Sequence, residues 1–303
     1  MNILLTNDDG FDAVGIVKLY EELSLEHKVF LVAPKSNCSG MSSAISLRKE
    51  IKVEAIDTNI YAVSGTPADC SYLGLLSIIS EPIDMIVSGI NLGANLGEDI
   101  FYSGTIGAAI AGRRLNHVPI AFSIRSFEPK NLNFFAQEAA IIINQATSLP
   151  EDKNLLVNVN FPDLDISNIK GKKLTKVGIR GIPDTPDLIR KEDASCFYSF
   201  GPSGTLLSNQ MNTDIQAVDE GYISSPKNDL DWLKLLNFEG FAIADFKLRK
   251  GRMRIRWLFR NSEDDCGMCP NKYRTLGMDV LPQEWFIEKF KTLDQKKELL
   301  FKD

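Results

Sequence analysis

The chain opens with a short apolar run that gives way to polar residues. The run from Ile3 to Leu5 is too short for a helix, and the polar segment from Thr6 to Gly10 follows it directly. This pattern predicts a buried strand over residues 2–6 with two acids at its carboxyl end. The next segments predict a helix over residues 13–25 and a strand over residues 28–33, which together complete a right-handed βαβ unit.

The alternation of strand and helix patterns continues through the first half of the chain. The further predicted elements are a half-exposed hairpin between residues 51 and 64, a helix capped by Thr66, strands at 83–87, 118–124 and 155–159, and a helix at 132–146. Repeated βαβ units build sheets that carry helices on both faces. We therefore expect an α/β fold with a doubly wound, mostly parallel sheet.

The periodicity fades in the second half of the chain. Residues 163–230 contain four prolines and predict a loop-rich region with short strands at most, extending from the ligand-binding edge of the sheet. Residues 241–248 and 252–259 predict a β-hairpin. The expected domains are an α/β domain over residues 1–230 and a C-terminal extension over residues 231–303. The predicted sheet offers no evident partner for the apolar side of the hairpin, so the extension is expected to mediate oligomerisation.

Composition narrows the class of protein. A hydrophobic content of 44% is ordinary for a soluble protein, and a net charge of −6 gives no reason to expect a nucleic-acid duplex as partner. No leader pattern and no long apolar run is present, so we expect no membrane association. The five scattered cysteines suit a reducing compartment and predict a cytoplasmic protein. With two histidines in the chain, Ser-His-Asp catalysis has little support.

Asp8 and Asp9 are the first candidates for chemistry. Ligands bind at the carboxyl ends of strands in open parallel sheets, and adjacent carboxylates repel each other unless a cation or a proton offsets their charge. Hard oxygen ligands favour Mg²⁺, Mn²⁺ or Ca²⁺. The alternative is structural, because Asp-Asp-Gly is also typical of an Asx-type turn before a helix.

A serine-rich loop over residues 35–43 leaves the same edge of the predicted sheet. Such loops are usually solvated turns. If its strand neighbours the first strand, Ser39 would instead offer a hydroxyl to a metal or a phosphate.

The densest polar stretch covers residues 88–97. Glycines at 89, 93 and 97 would let backbone approach a ligand, and Asn91 and Asn95 supply neutral oxygen and nitrogen atoms. The sequence has neither a dinucleotide-binding glycine motif nor a P-loop, so those nucleotide-binding classes lose their main support.

A helix with many small residues is predicted to open at Ser103 and Thr105. Its free amides and the two hydroxyls predict a phosphate site.

The cysteines have structural and chemical interpretations. Cys70 lies early in a predicted helix, a position that lowers a thiol pKa, but the favoured interpretation is a buried structural thiol. Cys266 and Cys269 lack a second ligand pair, so they predict zinc only if distant residues or another chain contribute.

These features together resemble the SurE family of divalent-metal-dependent nucleotidases and phosphatases, also called survival protein E. Five blocks carry the resemblance in the family's order: Thr6 to Gly10, Ala33-Pro34 with Ser39-Gly40, Gly65 to Cys70, Val87 to Asn91 with Gly93 and Asn95, and Tyr102 to Thr105. Later segments, Asn158 to Pro162, Thr213-Asp214 and Gly221 to Ser224, extend it to about residue 230. After Ser224 the family usually has Thr-Pro-Leu, where this chain has Ser225-Pro226-Lys227.

The resemblance implies a set of site residues and a reaction. It implies one divalent ion per subunit, held by Asp8, Asp9, Ser39 and Asn91, and a substrate phosphate near Asn95, Ser103, Gly104 and Thr105. The implied reaction is hydrolysis of a phosphomonoester, a nucleoside monophosphate in a 5′-nucleotidase. Family members form dimers or tetramers through an exchanged C-terminal segment, so a homodimer or homotetramer is expected.

Alternatives remain open at the level of the sequence. Either a bound water or one of the catalytic candidates, Asp8 or Asp9, would attack phosphorus. A transferase on the same fold would need an acceptor other than water, and a nucleotide-binding module would bind without turnover.

Overall fold

The computed structural model describes residues 1–147, 155–180, 185–192, 195–200, 211–229, 237–238, 241–249 and 252–260. The chain divides into two compact units, Met1–Asp229 and Leu230–Asp303. Across these described ranges, no helix is long and apolar enough to cross a lipid bilayer.

Strands and helices alternate along most of the first unit. The strands are β1 (Asn2–Thr6), β2 (Lys28–Pro34), β3 (Val53–Asp57), β4 (Ile60–Val63), β5 (Met85–Leu92), β6 (Ile120–Ile124), β7 (Leu155–Phe161), β8 (Lys172–Thr175), β9 (Asp187–Glu192), β10 (Ser195–Ser199) and β11 (Ile223–Asp229). The α-helices are α1 (Val14–Leu23), α2 (Pro67–Leu73), α3 (Gly104–Ile110), α4 (Leu132–Ala146) and α5 (Asp214–Asp219). A π-helical segment, Gly74–Ile78, follows α2, and short 3₁₀ turns lie at Gly97–Phe101 and Ile166–Asn168.

Nine strands form one sheet in the order β3-β4-β2-β1-β5-β6-β7-β11-β8, and β9 pairs with β10 in a separate hairpin. The central strands, from β4 to β7 in this order, are parallel. The outer strands β3 and β11 run antiparallel to β4 and β7. The chain moves from β1 outward to β2 and β4, then returns to β5 on the other side of β1. This reversal places a crevice at the carboxyl ends of β1 and β5.

Helices cover both faces of the sheet because the central strands are apolar on both sides. Ile3 and Leu5 of β1 belong to a core that includes residues of α1 and α4. Leu4 points the other way, into a core that includes Cys70 of α2. This alternation follows from the two-residue period of a strand. The predicted doubly wound, mostly parallel α/β fold is confirmed.

Two local predictions are corrected by the structure. The strand predicted to end at Val87 continues to Leu92, so Asn91 lies within β5, beyond a register shift against β6. The prediction of short strands at most is wrong for residues 211–229, where α5 and the seven-residue β11 form. The Thr213 hydroxyl caps α5 by accepting a hydrogen bond from the Gln216 amide. The polar strand β11 is ordered by its pairing with both β7 and β8. Tertiary pairing of this kind overrides weak strand propensity.

The second unit contains β12 (Asn237–Phe238), β13 (Phe241–Arg249) and β14 (Arg252–Arg260). β13 pairs antiparallel with β14 from Phe241 opposite Arg260 to Arg249 opposite Arg252, which confirms the predicted hairpin. Cys266 and Cys269 lie outside the described residues.

Candidate active site

The turn after β1 is made by Asn7. Its Nδ2 donates to the carbonyl oxygen of Gly10 at 2.8 Å, and the Gly10 amide donates back to Asn7 Oδ1 at 3.2 Å. The φ angle of Gly10 is +125°, which glycine adopts without strain. The Asx-type turn therefore exists, but Asn7 supplies it, and the carboxylates of Asp8 and Asp9 are left for other contacts.

Asp8 is buried at the crevice, with 4% of its surface exposed. The Thr105 hydroxyl donates to Asp8 Oδ1 at 2.6 Å, and a Cβ on Gly104 would lie only 2.8 Å from Asp8 Oδ2. Burial raises the pKa of Asp8 to about 6; the Asp9 charge adds to this rise, and the Thr105 hydrogen bond opposes it. The start of α3 therefore packs directly against this carboxyl group.

Asp9 connects β1 to the end of β5 and to the serine-rich loop. Its Oδ2 accepts a hydrogen bond of 3.3 Å from the Leu92 amide, and its Oδ1 accepts one of 3.4 Å from Asn37 Nδ2. Burial raises the pKa of Asp9, and the hydrogen bond from Leu92 opposes the shift. Asp9 thus lies between the end of β5, which carries Asn91, and the serine-rich loop, which carries Ser39.

Ser39 is brought to the acids by its neighbours in the loop. The Ser39 amide donates to Asn37 Oδ1 at 2.9 Å, and the Cys38 amide donates to the carbonyl oxygen of Asp8 at 2.7 Å. Asn37 therefore bridges Asp9 and Ser39, a role that the sequence pattern did not single out.

Asn91 lies one residue before the Leu92 amide that contacts Asp9. Its Nδ2 donates to the Gly93 carbonyl oxygen at 2.7 Å, which fixes the orientation of the amide group. In the part of the chain that the structure describes, its Oδ1 accepts no hydrogen bond. An amide oxygen of this kind is a neutral ligand for a hard cation.

Asn95 is the centre of a buried polar network. Its Nδ2 donates to Ser123 Oγ at 2.7 Å and to Thr105 Oγ1 at 3.4 Å. Its backbone amide donates to Asn160 Oδ1 at 2.9 Å, and its carbonyl oxygen accepts from Asn158 Nδ2 at 2.9 Å and Asn160 Nδ2 at 3.0 Å. A chain of hydrogen bonds therefore runs from Asp8 through Thr105 to Asn95 and Ser123.

Ser103 caps α3, because its hydroxyl accepts a hydrogen bond of 3.1 Å from the Ile106 amide. The hydroxyls of Ser103 and Thr105 thus both have partners within the protein, the helix end for Ser103 and Asp8 for Thr105. Both residues lie at the start of α3, as the sequence predicts. Their hydroxyls, however, already form hydrogen bonds within the protein, so they have a role in the fold that the predicted phosphate site does not require.

The donor set suits a hard divalent cation. Neither Asp8 nor Asp9 forms an ion pair within the described ranges, and no cluster of three or more His, Cys, Asp or Glu side chains occurs there. One buried carboxylate, Asp8, and one half-buried carboxylate, Asp9, without a cationic side chain carry a charge that a bound cation would offset. The remaining ligands would be oxygens of Ser39 and Asn91, and an all-oxygen set is typical of Mg²⁺, Mn²⁺ or Ca²⁺.

Comparisons with known proteins find relatives over most of the chain. The family model described as Survival protein SurE matches residues 3–183. The chain belongs to the SurE family. It is 40% identical over 228 residues to 5′-nucleotidase SurE of Pseudoalteromonas atlantica, covering 74% of this chain and 90% of that protein. It is 39% identical over 226 residues to 5′-nucleotidase SurE of Alkalilimnicola ehrlichii, covering 74% and 87%.

A solved SurE structure shares the fold. The crystal structure of the SurE protein from Aquifex aeolicus matches with a TM-score of 0.67 and 34% identity, covering 78% of this chain and all of that one. The predicted membership of the SurE family is confirmed.

Two glycines of the SurE-like segment 88–97 serve the fold. A Cβ on Gly89 would lie 2.3 Å from the Phe122 carbonyl oxygen, and one on Gly97 would lie 2.8 Å from that of Gly178. At these two positions the missing side chain lets a neighbouring backbone segment approach closely. The sequence had predicted that a ligand would approach there.

Asp214 is a positioning residue that the sequence analysis left without a role. Its carboxylate is buried and accepts hydrogen bonds from the amides of Gly97 at 2.8 Å, Gly178 at 2.8 Å and Ile215 at 2.9 Å. Burial raises the pKa of Asp214, and these hydrogen bonds oppose the rise. Asp214 thereby fastens the end of the 88–97 segment to the start of α5.

Cys70 is a buried thiol in α2, as favoured from the sequence. It is fully buried, and burial raises its pKa well above the ordinary value. Thr66 caps α2 in a capping box with Asp69, as the sequence predicts for its cap.

Proposed function

We propose that this protein is a divalent-metal-dependent phosphomonoester hydrolase that acts on nucleoside monophosphates, as a 5′-nucleotidase. The observation that carries the proposal is the pair of adjacent carboxylates, buried Asp8 and half-buried Asp9, at the switch point of the sheet without a cationic side-chain partner in the described residues. Membership of a family whose curated relatives are named 5′-nucleotidase supports the substrate class.

The metal would be one divalent ion per subunit, Mg²⁺, Mn²⁺ or Ca²⁺. The residues that would hold it are Asp8, Asp9, Ser39 and Asn91. When bound, such an ion polarises a phosphoryl oxygen and lowers the pKa of a coordinated water. Asp8 and Asp9 are the catalytic residues in this proposal because their charges bind the ion.

The other polar residues would hold the substrate phosphate and orient the acids. The proposed phosphate contacts are Asn95, Ser103, Gly104 and Thr105. The hydrogen bond between Asn95 and Thr105 supports a common location, and the close approach of Gly104 to Asp8 places the start of α3 beside the reacting centre. Thr105 would fix the orientation of Asp8 while Asn95 is held rigidly by β7.

The assembly and location are also proposals. We expect a cytoplasmic homodimer or homotetramer, in which the α/β domain of residues 1–230 carries the site and the extension of residues 231–303 contributes to subunit contacts. The free thiols of Cys38, Cys70 and Cys196 support a reducing compartment. Deleting residues 231–303 should lower the number of subunits per particle, as measured by light scattering. A truncated protein that keeps the parent number of subunits would contradict this role.

The deciding experiment is a panel of phosphorylated substrates assayed after exhaustive chelation and after return of Mg²⁺, Mn²⁺ or Ca²⁺. We expect no phosphate release from the chelated protein and restored release with a metal, with water as acceptor. Full activity without metal would contradict the metal site. A requirement for another acceptor would indicate a transferase, and nucleotide binding without turnover would indicate a binding module.

A further inference from the structure

A cleft of about 590 Å³ lies beside the candidate active site. It is surrounded by residues from α1, the end of β5, the segment that leads from β6 into α4, and the first turn of α4. Its lining includes Val14, Lys18, Leu92, Phe127, Asn133 and Phe134. The contacts proposed above for metal and phosphate use none of these side chains.

Leu92 links the cleft to the carboxylates. Its amide donates to Asp9 Oδ2 at 3.3 Å, and the same residue lines the cleft. A ligand that contacts Leu92 in the cleft would therefore lie close to Asp9, a candidate metal ligand.

Phe127 gives a second link, through Gly93. A Cβ on Gly93 would lie 3.2 Å from Cε1 of Phe127 and 3.7 Å from Nδ2 of Asn91. The aromatic ring and the amide of a candidate metal ligand thus flank the same glycine. The φ angle of Gly93 is +127°, so both the backbone conformation and the space favour glycine here.

Phe127 is 80% exposed although it lines the cleft. An exposed aromatic ring offers a flat apolar surface, and every nucleobase has a π-face that can stack on it. The amide of Asn133 adds hydrogen-bonding capacity to the lining. The lining thus combines aromatic and aliphatic side chains with polar ones, among them Lys18, Glu128 and Lys130, a combination typical of small-molecule sites.

We propose that the cleft binds the nucleobase of the substrate, stacked on Phe127, while the 5′ phosphate lies at Asp8 and Asp9. The inference rests on the proposed nucleotidase function and deepens it. It makes the base, in addition to the phosphate, a determinant of substrate choice, and it makes Phe127 a specificity residue.

The kinetic test compares 5′-AMP with ribose 5-phosphate, which keeps the sugar and the phosphate but lacks the base. In Phe127→Ala, the ratio of kcat/KM for 5′-AMP to that for ribose 5-phosphate should fall about tenfold, since base stacking on an aromatic ring contributes this order of affinity. Phe127→Tyr keeps the ring and should keep the ratio. Leu25→Ala, at a 75% exposed residue just after α1, is the matched control and should also keep it.

A binding test separates this inference from the proposed function. Calorimetric titration with adenosine should show binding to the wild-type protein and loss of binding in Phe127→Ala, whether or not the protein turns over nucleotides. Wild-type protein that does not bind adenosine, an unchanged ratio in Phe127→Ala, or equal losses on both substrates would each overturn the nucleobase site. Adenosine binding through Phe127 with no phosphate release from any nucleotide would support this site and overturn the hydrolase proposal.

Discussion

The hydroxyl of Thr105 donates a 2.6 Å hydrogen bond to Oδ1 of Asp8, across 97 positions of sequence. Thr105 is fully buried and belongs to α3, whereas Asp8 follows β1. The bond couples the orientation of a proposed catalytic carboxylate to the placement of a helix. It also assigns the Thr105 hydroxyl to a positioning role toward Asp8.

Replacing Thr105 with valine should therefore affect stability and turnover together. Thr105→Val removes the hydroxyl donor to the buried Asp8 Oδ1 and the longer of the two hydrogen bonds from Asn95 Nδ2, which keeps Ser123 as its partner. A loss of about 1–3 kcal/mol in the free energy of unfolding is expected, with reduced kcat. Urea denaturation of the metal-free protein and steady-state kinetics measure the two effects.

Thr105→Ser is the matched control, because it keeps the hydroxyl and should retain most of the activity. Ser103→Ala removes the cap of α3 and should cost about 0.5–2 kcal/mol. Normal stability and normal kcat in folded Thr105→Val would contradict the positioning role.

The clamp on Asn95 gives a second prediction. Asn160 accepts from the Asn95 amide and donates to its carbonyl oxygen, and both residues are buried. Asn160→Ala should cost about 2 kcal/mol or more, since the buried Asn95 amide loses its partner and the Asn95 carbonyl oxygen keeps only the bond from Asn158. KM should rise because Asn95 is no longer fixed beside Thr105.

Asn144→Ala is the comparison for this prediction. Asn144 donates to Glu26 at 3.0 Å on the surface, so its loss should change stability by no more than about 0.5 kcal/mol. Equal unfolding free energies for Asn160→Ala and Asn144→Ala would exclude the clamp as a source of stability.

The carboxylate pair could be located from the sequence because a sharp change from apolar to polar residues marks the end of β1. The sequence predicted a doubly wound sheet but not its strand order. The pairing of β5 with β1 was not predictable, because βαβ patterning does not state which strands are neighbours. Asn91 was singled out from the sequence as a candidate ligand, and its position inside β5 was not predicted. Glycine and asparagine in that segment have low strand propensity, and pairing with β6 overrides it.

The polar network was visible in the sequence only as an unexplained pattern. Asn158 and Asn160 occupy alternate positions of an otherwise apolar strand, which puts both side chains on one face. Their partner is the backbone of Asn95, 63 and 65 positions away, and no local signal indicates such a contact. Asn37 was missed for a different reason, because an asparagine in a polar loop is ordinary turn composition.

Asp9→Asn tests the metal site by charge. The substitution should weaken metal binding severely, because one of two carboxylates is lost, while the metal-free protein stays as stable or becomes more so as repulsion from Asp8 is relieved. The melting temperature with and without Mn²⁺ measures both effects. Asp12→Asn, at an exposed carboxylate three residues later, should keep the normal metal-induced shift. If Asp9→Asn keeps a normal shift and normal turnover, the two acids do not form the metal site.

The raised pKa of Asp8 predicts how stability depends on pH in the metal-free protein. The pKa is about 6 in the folded state against 3.8 for the ordinary group, so the folded protein binds the proton more tightly than the unfolded chain. This contribution is fully present below pH 3.8 and is lost as pH rises through about 6, by an amount on the order of 3 kcal/mol. Asp8→Asn has no titrating group at this position. The unfolding free energy of the wild type minus that of Asp8→Asn should therefore decrease as the pH rises from 3.8 through about 6.

A divalent cation should reverse the trend, because it binds the deprotonated carboxylate. The increase in melting temperature caused by Mn²⁺ should therefore be larger at pH 7.5 than at pH 5 in the wild-type protein, and small at both values in Asp8→Asn. Calorimetric scans at the two pH values, with and without Mn²⁺, measure this directly. A metal-induced shift that is equal at both pH values in the wild-type protein would mean that Asp8 does not exchange its proton for the cation.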